Sequence, residues 1–242
     1  MNLLADARTL MQLARGRAAH GSHAQRLQAF YRPQAEHYDA FRERLLHGRE
    51  DLINRLAPAP GARVVELGGG TGRNLEYFGP RLLSFARVEV VDLCPALLEQ
   101  AGRRCARWPG LAYAIEADAT VYRPPEAVDC VYFSYALSMI PDWRAAIDNA
   151  LAMLRPGGLL GAVDFHEPAH DARVRRALRA RIASSFWRRW FRHDGVNIDP
   201  RHLPYLQRHT EPVCCEQRRA PVPYLRGLRV PYYLYIGRRP VC

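Results

Sequence analysis

The most restrictive feature of this sequence is a short apolar run that leads directly into a cluster of glycines. Residues 64–67 read Val-Val-Glu-Leu, and residues 68–72 read Gly-Gly-Gly-Thr-Gly. β-Branched residues with leucine are typical of a parallel strand buried on both faces. Glycines permit a sharp turn and a close approach of the backbone to a ligand. The stretch therefore predicts a strand, a glycine-rich turn and then a helix over residues 72–78.

A second predicted strand ends in an acidic residue at a spacing typical of nucleoside binding. Residues 88–91 read Val-Glu-Val-Val, and Asp92 follows them. Asp92 lies about twenty residues after the last glycine, where a carboxylate can accept hydrogen bonds from a ribose. The two motifs together predict a cofactor that contains adenosine.

The spacing of the glycines distinguishes between adenosine cofactors. Gly68, Gly70 and Gly72 alternate, whereas a dinucleotide fingerprint reads G-x-G-x-x-G. Glu66 would repel a pyrophosphate beside it, but it matches the ammonium group of a methionine moiety. With Asp118, which follows a third strand and can accept from an adenine amino group, residues 62–165 resemble the class I S-adenosylmethionine-dependent methyltransferases. The resemblance implies S-adenosyl-L-methionine as the cofactor.

Strand and helix patterns alternate along the rest of this region. Helices are predicted at residues 95–104 and 143–154, and strands at residues 111–116, 128–133 and 159–165. The turn Arg155-Pro156-Gly157-Gly158 before the last of these strands is a further feature similar to class I methyltransferases. Repeated βα units predict an α/β fold with a Rossmann-like, doubly wound, mostly parallel sheet.

Segments on either side complete the predicted organisation. Residues 1–60 are helical in pattern and are expected to form an N-terminal lid or substrate segment ahead of a cofactor-binding domain at residues 61–242. A short helix is predicted at residues 201–208, and apolar runs at residues 212–215 and 230–236 predict a closing antiparallel hairpin.

The charge of the chain is strongly positive. All 35 residues counted as Lys+Arg are arginine, and the formal net charge is +11. Such a charge predicts attraction to anionic lipid or to nucleic acid. The six cysteines lack C-x-x-C spacing, so no zinc site is expected and reduced thiols are the simplest interpretation. No secretory signal or membrane-spanning segment is indicated.

Two helical segments have amphipathic or basic character. Residues 3–14 place apolar side chains at helical spacing, which fits a helix docked on protein or membrane. Residues 173–193 interleave eight arginines with Trp187, Trp190 and other apolar residues. Arginine with tryptophan is typical of a helix in the headgroup region of a bilayer. RNA binding and ordinary packing on the sheet remain alternatives for this helix.

Residues 23–50 carry a more specific resemblance than the glycine loop does. This segment includes His-Ala-Gln-Arg-Leu at residues 23–27, Phe-Tyr at 30–31, Tyr-Asp at 38–39 and Gly-Arg-Glu at 48–50. It is similar to the betaine-lipid N-methyltransferases, both the stand-alone bacterial enzymes and the methyltransferase portion of fused betaine-lipid synthases. The Gly-Gly-Gly-Thr-Gly-Arg-Asn run at residues 68–74 and the loop at residues 133–141 are also similar to that family, and the resemblance spans residues 23–165.

This resemblance implies successive methylation of the amino group of diacylglyceryl homoserine, ending at a trimethylated betaine lipid. The implied partner is a lipid headgroup at an anionic membrane surface, with an aminocarboxypropyl transferase as a functional partner. The implied location is the cytoplasm, peripherally associated with the inner face of the membrane. No nucleic-acid partner is expected.

The sequence also predicts which residues form the site. Tyr31, Tyr38 and Tyr135 are expected to contact the growing cation of the acceptor through their aromatic faces. Arg49 is a candidate for the carboxylate of the methionine moiety or for the substrate. The full set predicted to bind the cofactor is Arg49, Glu66, Gly68, Gly69, Gly70, Thr71, Gly72, Asn74, Asp92, Leu93, Asp118, Ala119 and Ser134. No metal ligand and no catalytic base are predicted.

Other functions remain open at this point. A small-molecule N- or O-methyltransferase fits the cofactor motifs equally well. A nucleobase methyltransferase would carry an Asn/Asp-Pro-Pro-Tyr type loop after the fourth strand, whereas residues 134–137 read Ser-Tyr-Ala-Leu. A binding protein that has lost catalysis is disfavoured because Glu66, Asp92 and Asp118 are all present.

Overall fold

A computed structural model of the chain describes residues 22–32, 43–166, 196–222 and 229–241. Within these residues, seven strands form a single sheet with helices on both faces. The strands are β1 (Arg63–Leu67), β2 (Arg87–Asp92), β3 (Ala112–Glu116), β4 (Val128–Ser134), β5 (Leu154–Phe165), β6 (Glu211–Pro221) and β7 (Arg229–Arg238). The α-helices are α1 (His23–Tyr31), α2 (Arg49–Leu56), α3 (Pro95–Cys105), α4 (Trp143–Met153) and α5 (His202–His209). A 3-10 helix spans Arg73–Ser84.

The order of the strands in the sheet is β3-β2-β1-β4-β5-β7-β6. The first five strands run parallel, and β7 lies antiparallel between β5 and β6. This is the predicted doubly wound, mostly parallel sheet with its closing hairpin. Strands β2 and β3 follow on one side of β1, and β4 then pairs with β1 on its other side. In open α/β sheets, ligands bind in the crevice at the carboxyl ends of the strands where the order reverses.

Side chains along the central strands alternate between two apolar layers. Val64, Val88 and Cys130 belong to the layer that also contains the 3-10 helix, α2 and α3. Val65 and Val131 belong to the layer beneath α4 and α5. Because both faces are covered, the three apolar residues of β1, Val64, Val65 and Leu67, have no exposed surface.

Local sequence determines where two of the helices begin. At α1, Ser22 and Gln25 form a reciprocal capping box, in which the Ser22 hydroxyl accepts from Gln25 N–H at 3.2 Å and the Gln25 side chain accepts from Ser22 N–H at 2.8 Å. At α4, the Asp142 carboxylate accepts from Ala145 N–H at 3.1 Å. Both caps bind backbone N–H groups that have no partner within the helix.

The segment after the glycine loop is helical, as predicted for residues 72–78, but the helix is longer than predicted and is of the 3-10 type. It forms the 3-10 helix Arg73–Ser84, with a break at Gly79, whose φ of 56° is outside the helical region. Pro80 follows this residue and cannot donate a backbone hydrogen bond. The Gly-Pro pair therefore explains the kink, and the sequence already contained it.

The predicted turn at residues 155–158 lies inside β5 as an irregular segment. Leu154 pairs with Val128, and the next pair joins Leu159 to Cys130, so β5 contains extra residues at this point. Gly157 N–H donates to Arg239 O at 3.0 Å, and Arg239 N–H donates to Gly158 O at 2.8 Å. These bonds to the chain that follows β7 extend the strand beyond its predicted start.

The N-terminal region packs on the sheet in two ways. The Gln28 side chain on α1 accepts from Ala96 N–H at 3.0 Å, which fixes α1 against the start of α3. Leu52 and Ile53 of α2 are fully buried in the same apolar layer as the 3-10 helix. Helix α2 is thus part of the main core, while the domain boundary at residue 60 stays a prediction.

Two sequence predictions lie outside the described residues. These are the amphipathic helix at residues 3–14 and the basic aromatic helix at residues 173–193. Among the helices that the structure describes, none has the length and apolar content needed to cross a bilayer. The cysteines of the described ranges are not paired with one another.

Candidate functional site

A cavity of about 280 Å³ opens at the carboxyl ends of β1 to β4. Residues from α1 and from the segment that precedes α2, including Leu27 and Leu46, also line it. Most of the residues predicted from the sequence line it: Tyr31, Arg49, Glu66, Gly68, Gly69, Gly70, Thr71, Asn74, Asp92, Leu93, Asp118, Ala119, Ser134 and Tyr135. Gly72 does not line the cavity, and Tyr38 lies outside the described residues.

Glu66 is the buried acid of the site. Its carboxylate accepts from the Asn74 amide at 2.5 Å and from the Tyr132 hydroxyl at 3.0 Å. Burial raises the pKa of Glu66 to about 7, although these two hydrogen bonds and the charge of Arg49 oppose the shift. A cation placed beside this group would favour its ionised form.

The glycines of the loop serve different purposes. A Cβ on Gly69 would lie 2.6 Å from a Val90 methyl carbon, and one on Gly68 would lie 2.5 Å from Ala136 Cβ. These two positions exclude a side chain because the loop packs against the protein itself. At Gly70, with φ of 55°, the nearest side-chain atom would be 3.7 Å away. Of these three glycines, Gly70 is therefore the one with open space beside its backbone for a ligand.

Gly72 contributes through helix packing. Its φ is 69°, and its N–H donates to Gly69 O at 3.0 Å, which closes the loop. A Cβ at this position would approach Ala101 of α3 to 3.4 Å. Gly72 therefore fixes the contact between the loop and α3 without facing the cavity.

Asp92 joins the glycine loop to the turn after β2. One carboxylate oxygen accepts from Gly70 N–H at 2.8 Å and the other accepts from Cys94 N–H at 2.8 Å. Burial raises the pKa of Asp92, and the backbone hydrogen bonds oppose this shift. Each carboxylate oxygen has further lone pairs, so Asp92 can accept from two neighbouring hydroxyl groups of a ligand.

Asp118 occupies the equivalent position after β3. Its Oδ1 accepts from both the N–H and the hydroxyl of Thr120 at 2.8 Å. This local turn holds the carboxylate at the rim of the cavity. Consecutive strands β1, β2 and β3 therefore each direct a carboxyl group toward the same cavity.

Arg49 is the buried cation of the site. Its Nε donates to Leu46 O at 3.2 Å, and its guanidinium lies 5.6 Å from the centre of the Tyr77 ring. Its Nη2 lies 3.8 Å from a Glu43 carboxylate oxygen, beyond hydrogen-bond distance. With Arg49 Nη2, the buried atoms Asn74 Oδ1 and Ser134 Oγ also have no hydrogen-bond partner. All three belong to residues that line the cavity, so a polar ligand would satisfy them.

The tyrosines predicted to surround the acceptor occupy different environments. Tyr31 is buried at the end of α1 and lines the cavity. Tyr135 has φ of 55°, and its hydroxyl donates to His47 O at 2.7 Å. Burial raises the pKa of Tyr135 well above its ordinary value. Because its hydroxyl is committed to the backbone before α2, Tyr135 is suited to position Arg49 and unsuited to accept a proton.

Sequence reasoning missed two residues that touch the predicted ones. Tyr132 lies beside Glu66 in the β1–β4 register and binds its carboxylate. Thr120 holds Asp118 through the turn after β3. The Asp-x-Thr spacing that lets Thr120 hold Asp118 was visible in the sequence as a turn signal. The contact of Tyr132 with Glu66 depends on the strand register, which the sequence does not specify.

Comparison with known proteins gives a consistent result. Residues 38–217 match the family described as "Methyltransferase domain". A trans-aconitate 2-methyltransferase from Methylobacterium radiotolerans is 31% identical over 155 residues, covering 62% of this chain and 55% of that protein. The chain thus matches little more than half the length of this relative.

Two further comparisons cover a larger share of both aligned chains. A demethylmenaquinone methyltransferase from Tropheryma whipplei is 22% identical over 205 residues, covering 79% of each chain. The crystal structure of the N-methyltransferase NodS from Bradyrhizobium japonicum, in complex with S-adenosyl-L-homocysteine, has a TM-score of 0.58. It is 21% identical, with coverage of 79% of this chain and 86% of that chain. At this identity, the likeness to NodS concerns the fold.

Proposed function

This chain belongs to the methyltransferase-domain family, and from that premise we propose that it transfers a methyl group from S-adenosylmethionine to a small-molecule acceptor. The sequence resemblance to class I methyltransferases agrees with this family at the level of fold and cofactor. The proposal concerns the activity of the whole protein and the class of its acceptor.

The observation that carries the proposal is the pairing of opposite buried charges in one cavity. Glu66 is a carboxyl with a pKa near 7, and Arg49 is a guanidinium with an unpartnered nitrogen. Glu66 lies on β1 and Arg49 lies at the start of α2. A zwitterion could therefore place its ammonium at Glu66 and its carboxylate at Arg49. S-adenosylmethionine has such an amino-acid end, and an ordinary nucleotide does not.

The remaining polar residues fit the nucleoside part of the same molecule. Asp92 would hold the ribose hydroxyls, and Asp118 would accept from the adenine amino group; both line the cavity. Leu97 and Ile140 line the cavity and supply apolar surface for a flat ring. When bound, S-adenosylmethionine supplies an electrophilic methyl group attached to a sulfonium.

The chain's own residues would act mainly by positioning and by exclusion of water. Ala136, Met139 and Ile140 form an apolar wall after β4, where bulk water would otherwise compete with the acceptor. Tyr135 fixes the turn that precedes Arg49. In-line transfer needs close alignment of the reacting atoms, and this scaffold provides a rigid site for it.

The names of the relatives favour an organic acid or a quinone-type acceptor over an amino-lipid headgroup. Their names specify trans-aconitate and demethylmenaquinone as the compounds that those proteins methylate. An acceptor of one of these classes, an organic acid or a quinol, is therefore the first to test for this chain.

Methylation of diacylglyceryl homoserine to a betaine lipid stays a narrower proposal with less support. It rests on the resemblance of residues 23–50 and on the basic helix predicted at residues 173–193. Residues 33–42 and the whole of 173–193 lie outside the described residues. An anionic membrane surface at the inner face and an aminocarboxypropyl transferase partner belong to the same proposal. The relatives reported above give it no support. Mass spectrometry of lipids from cells that make the homoserine lipid, with and without this protein, would test it directly.

A titration followed by a turnover assay tests the main proposal. Calorimetric titration should show binding of both S-adenosylmethionine and S-adenosylhomocysteine. The Glu66→Gln substitution should weaken the binding of S-adenosylmethionine. Turnover should then appear with an organic acid or a quinol in an assay for released S-adenosylhomocysteine. Absence of cofactor binding by the folded wild-type protein would contradict the proposal.

A further inference from the structure

Two guanidinium groups and a phenol hydroxyl converge on one carboxylate oxygen of Glu43, on the segment that precedes α2. The Nε of Arg73 donates to Glu43 Oε1 at 2.8 Å, and the hydroxyl of Tyr77 donates to it at 3.0 Å. The Nη2 of Arg49 lies 3.8 Å from the same oxygen. A side-chain carboxylate therefore lies where three donors meet.

Both of these arginines belong to the cofactor cavity. Arg49 and Arg73 line it, whereas Glu43 and Tyr77 do not. The two guanidinium carbons lie 5.6 and 5.7 Å from the centre of the same Tyr77 ring, so they share one aromatic surface. Arg73 was not among the cofactor-binding residues predicted from the sequence. The point where the donors meet is thus next to the cavity, and its acceptor comes from outside the cavity.

Glu43 satisfies Arg49 only in part. The Arg49 side chain is 8% exposed, and its Nη2 has no hydrogen-bond partner because 3.8 Å is too long for one. The Glu43 side chain is 35% exposed, so it can turn toward solvent without burying its charge. Arg49 would keep its place without Glu43, because its Nε donates to Leu46 O at 3.2 Å.

The charge of Glu43 opposes a second carboxylate at the same arginine. Burial favours a higher pKa for Glu43, but the hydrogen bonds from Arg73 and Tyr77 outweigh burial and lower its pKa. Glu43 is therefore ionised at pH 7. A ligand oxygen within about 3 Å of Arg49 Nη2 would lie no more than about 7 Å from Glu43 Oε1 and would be repelled by it.

We propose that Glu43 holds the carboxylate position of the cofactor site in the ligand-free protein. The carboxylate of the methionine moiety displaces Glu43 toward solvent and binds both Arg49 and Arg73. This inference rests on the proposed function, to which it adds Arg73 and the exchange of one acid for another. The exchange lowers the affinity for a ligand with a carboxylate, because the contacts of Glu43 with Arg73 and Tyr77 are lost when that ligand binds.

Two acids that pair with Arg73 provide a matched test. Glu76 also forms an ion pair with Arg73, but its other contacts include Arg104 of α3 at 3.1 Å. Glu43→Gln removes the charge near Arg49 and keeps the shape of the side chain, so S-adenosylhomocysteine should bind about three- to tenfold more tightly. Glu43→Ser should have the same effect. Glu76→Gln should change this affinity by less than about twofold.

The probes are S-adenosylhomocysteine and S-adenosyl-3-thiopropylamine, which is the same molecule without its carboxylate. Calorimetric titration measures the affinity of each, and thermal denaturation shows that each variant is folded. Binding of S-adenosyl-3-thiopropylamine should be equal in wild type and Glu43→Gln, since this ligand has no group to exchange with Glu43. Arg73→Gln should weaken S-adenosylhomocysteine by about fivefold or more and leave S-adenosyl-3-thiopropylamine unchanged.

The outcomes separate this inference from the proposed function. If S-adenosylhomocysteine fails to bind the wild-type protein, the proposed function and the exchange are both overturned. If it binds wild type but binds the Glu43 variants equally or more weakly, the exchange alone is overturned and Glu43 holds Arg49 in place. A gain of the same size for both ligands also overturns the exchange. Unchanged binding of S-adenosylhomocysteine to Arg73→Gln overturns the role of Arg73.

Discussion

Two regions of the molecule differ in how their buried polar side chains are partnered. At the ends of β1, β2 and β3, each of Glu66, Asp92 and Asp118 accepts two hydrogen bonds from the protein. At the start of α5, His202 makes none with either ring nitrogen. The first region is held in its binding geometry before any ligand arrives. Both regions leave buried polar atoms without a partner: Arg49 Nη2, Asn74 Oδ1 and Ser134 Oγ in the first, and the ring nitrogens of His202 in the second.

The largest expected effect tests whether the first region is held by packing. Gly69→Val should destabilise the protein by about 3 kcal/mol, because its side chain would overlap Val90 and the Glu66 side chain. Chemical denaturation measures this change. Gly102→Ala in α3 is the control, since nothing lies within 4 Å of its added Cβ, and it should stabilise by about 0.5–1 kcal/mol. Equal stability of Gly69→Val and wild type would show that the loop is not tightly packed.

The next effect concerns ligand affinity in the first region. Asp92→Ala should weaken S-adenosylmethionine binding by about 1–3 kcal/mol, because it removes charge-assisted hydrogen bonds. It also frees the amides of Gly70 and Cys94. Calorimetric titration measures the affinity. Glu99→Ala, which breaks an exposed pair with Arg103, is the control and should have no effect. An unchanged affinity in a folded Asp92→Ala protein would remove its ribose role.

A smaller effect depends on pH and on Glu66. Its pKa in the folded protein is raised to about 7 from 4.5, so the ligand-free protein loses stability as pH rises through this interval. An ammonium bound at Glu66 requires the ionised carboxylate, so affinity should rise with pH up to about 7 and then level off. Below pH 7, the expected slope is about tenfold per pH unit. Glu66→Gln should remove this slope, and persistence of the slope in that variant would assign it to another group.

The smallest effect tests the residue between the two regions. Tyr135→Phe removes the hydrogen bond to His47 O and should destabilise by about 1 kcal/mol. It should also reduce cofactor affinity by loosening the turn before Arg49. Tyr113→Phe is the control, because its hydroxyl donates to Gly110 O in an exposed position. Thermal denaturation and titration measure both quantities, and equal losses in the two variants would argue against a positioning role for Tyr135.

Much of the first region was accessible from the sequence because its residues lie at the ends of consecutive strands. Parallel strands direct their carboxyl ends to one edge, so Glu66, Asp92 and Asp118 could be assigned to one cavity before their distances were known. Tyr132 was missed because its contact with Glu66 depends on the β1–β4 register. The extended start of β5 also depends on contacts between segments distant in the chain.

The second region was not predicted because its members have no shared sequence pattern. His166, His202 and Tyr233 come from β5, α5 and β7, which meet only when the antiparallel β7 is placed beside β5. Each alone reads as an ordinary polar residue near an apolar segment. Their absence of partners is a property of packing and could not be read from spacing.

The sequence by itself determined the strand and helix pattern, the cofactor loop and the three acids, because these depend on local periodicity and on glycine conformation. The tertiary structure decided that Gly68 and Gly69 serve packing, that Tyr135 is committed to His47, and which polar groups remain without a partner. The physical reason is that local propensity acts between near neighbours in the chain. Burial and hydrogen-bond satisfaction are set by residues that come together only when the sheet forms.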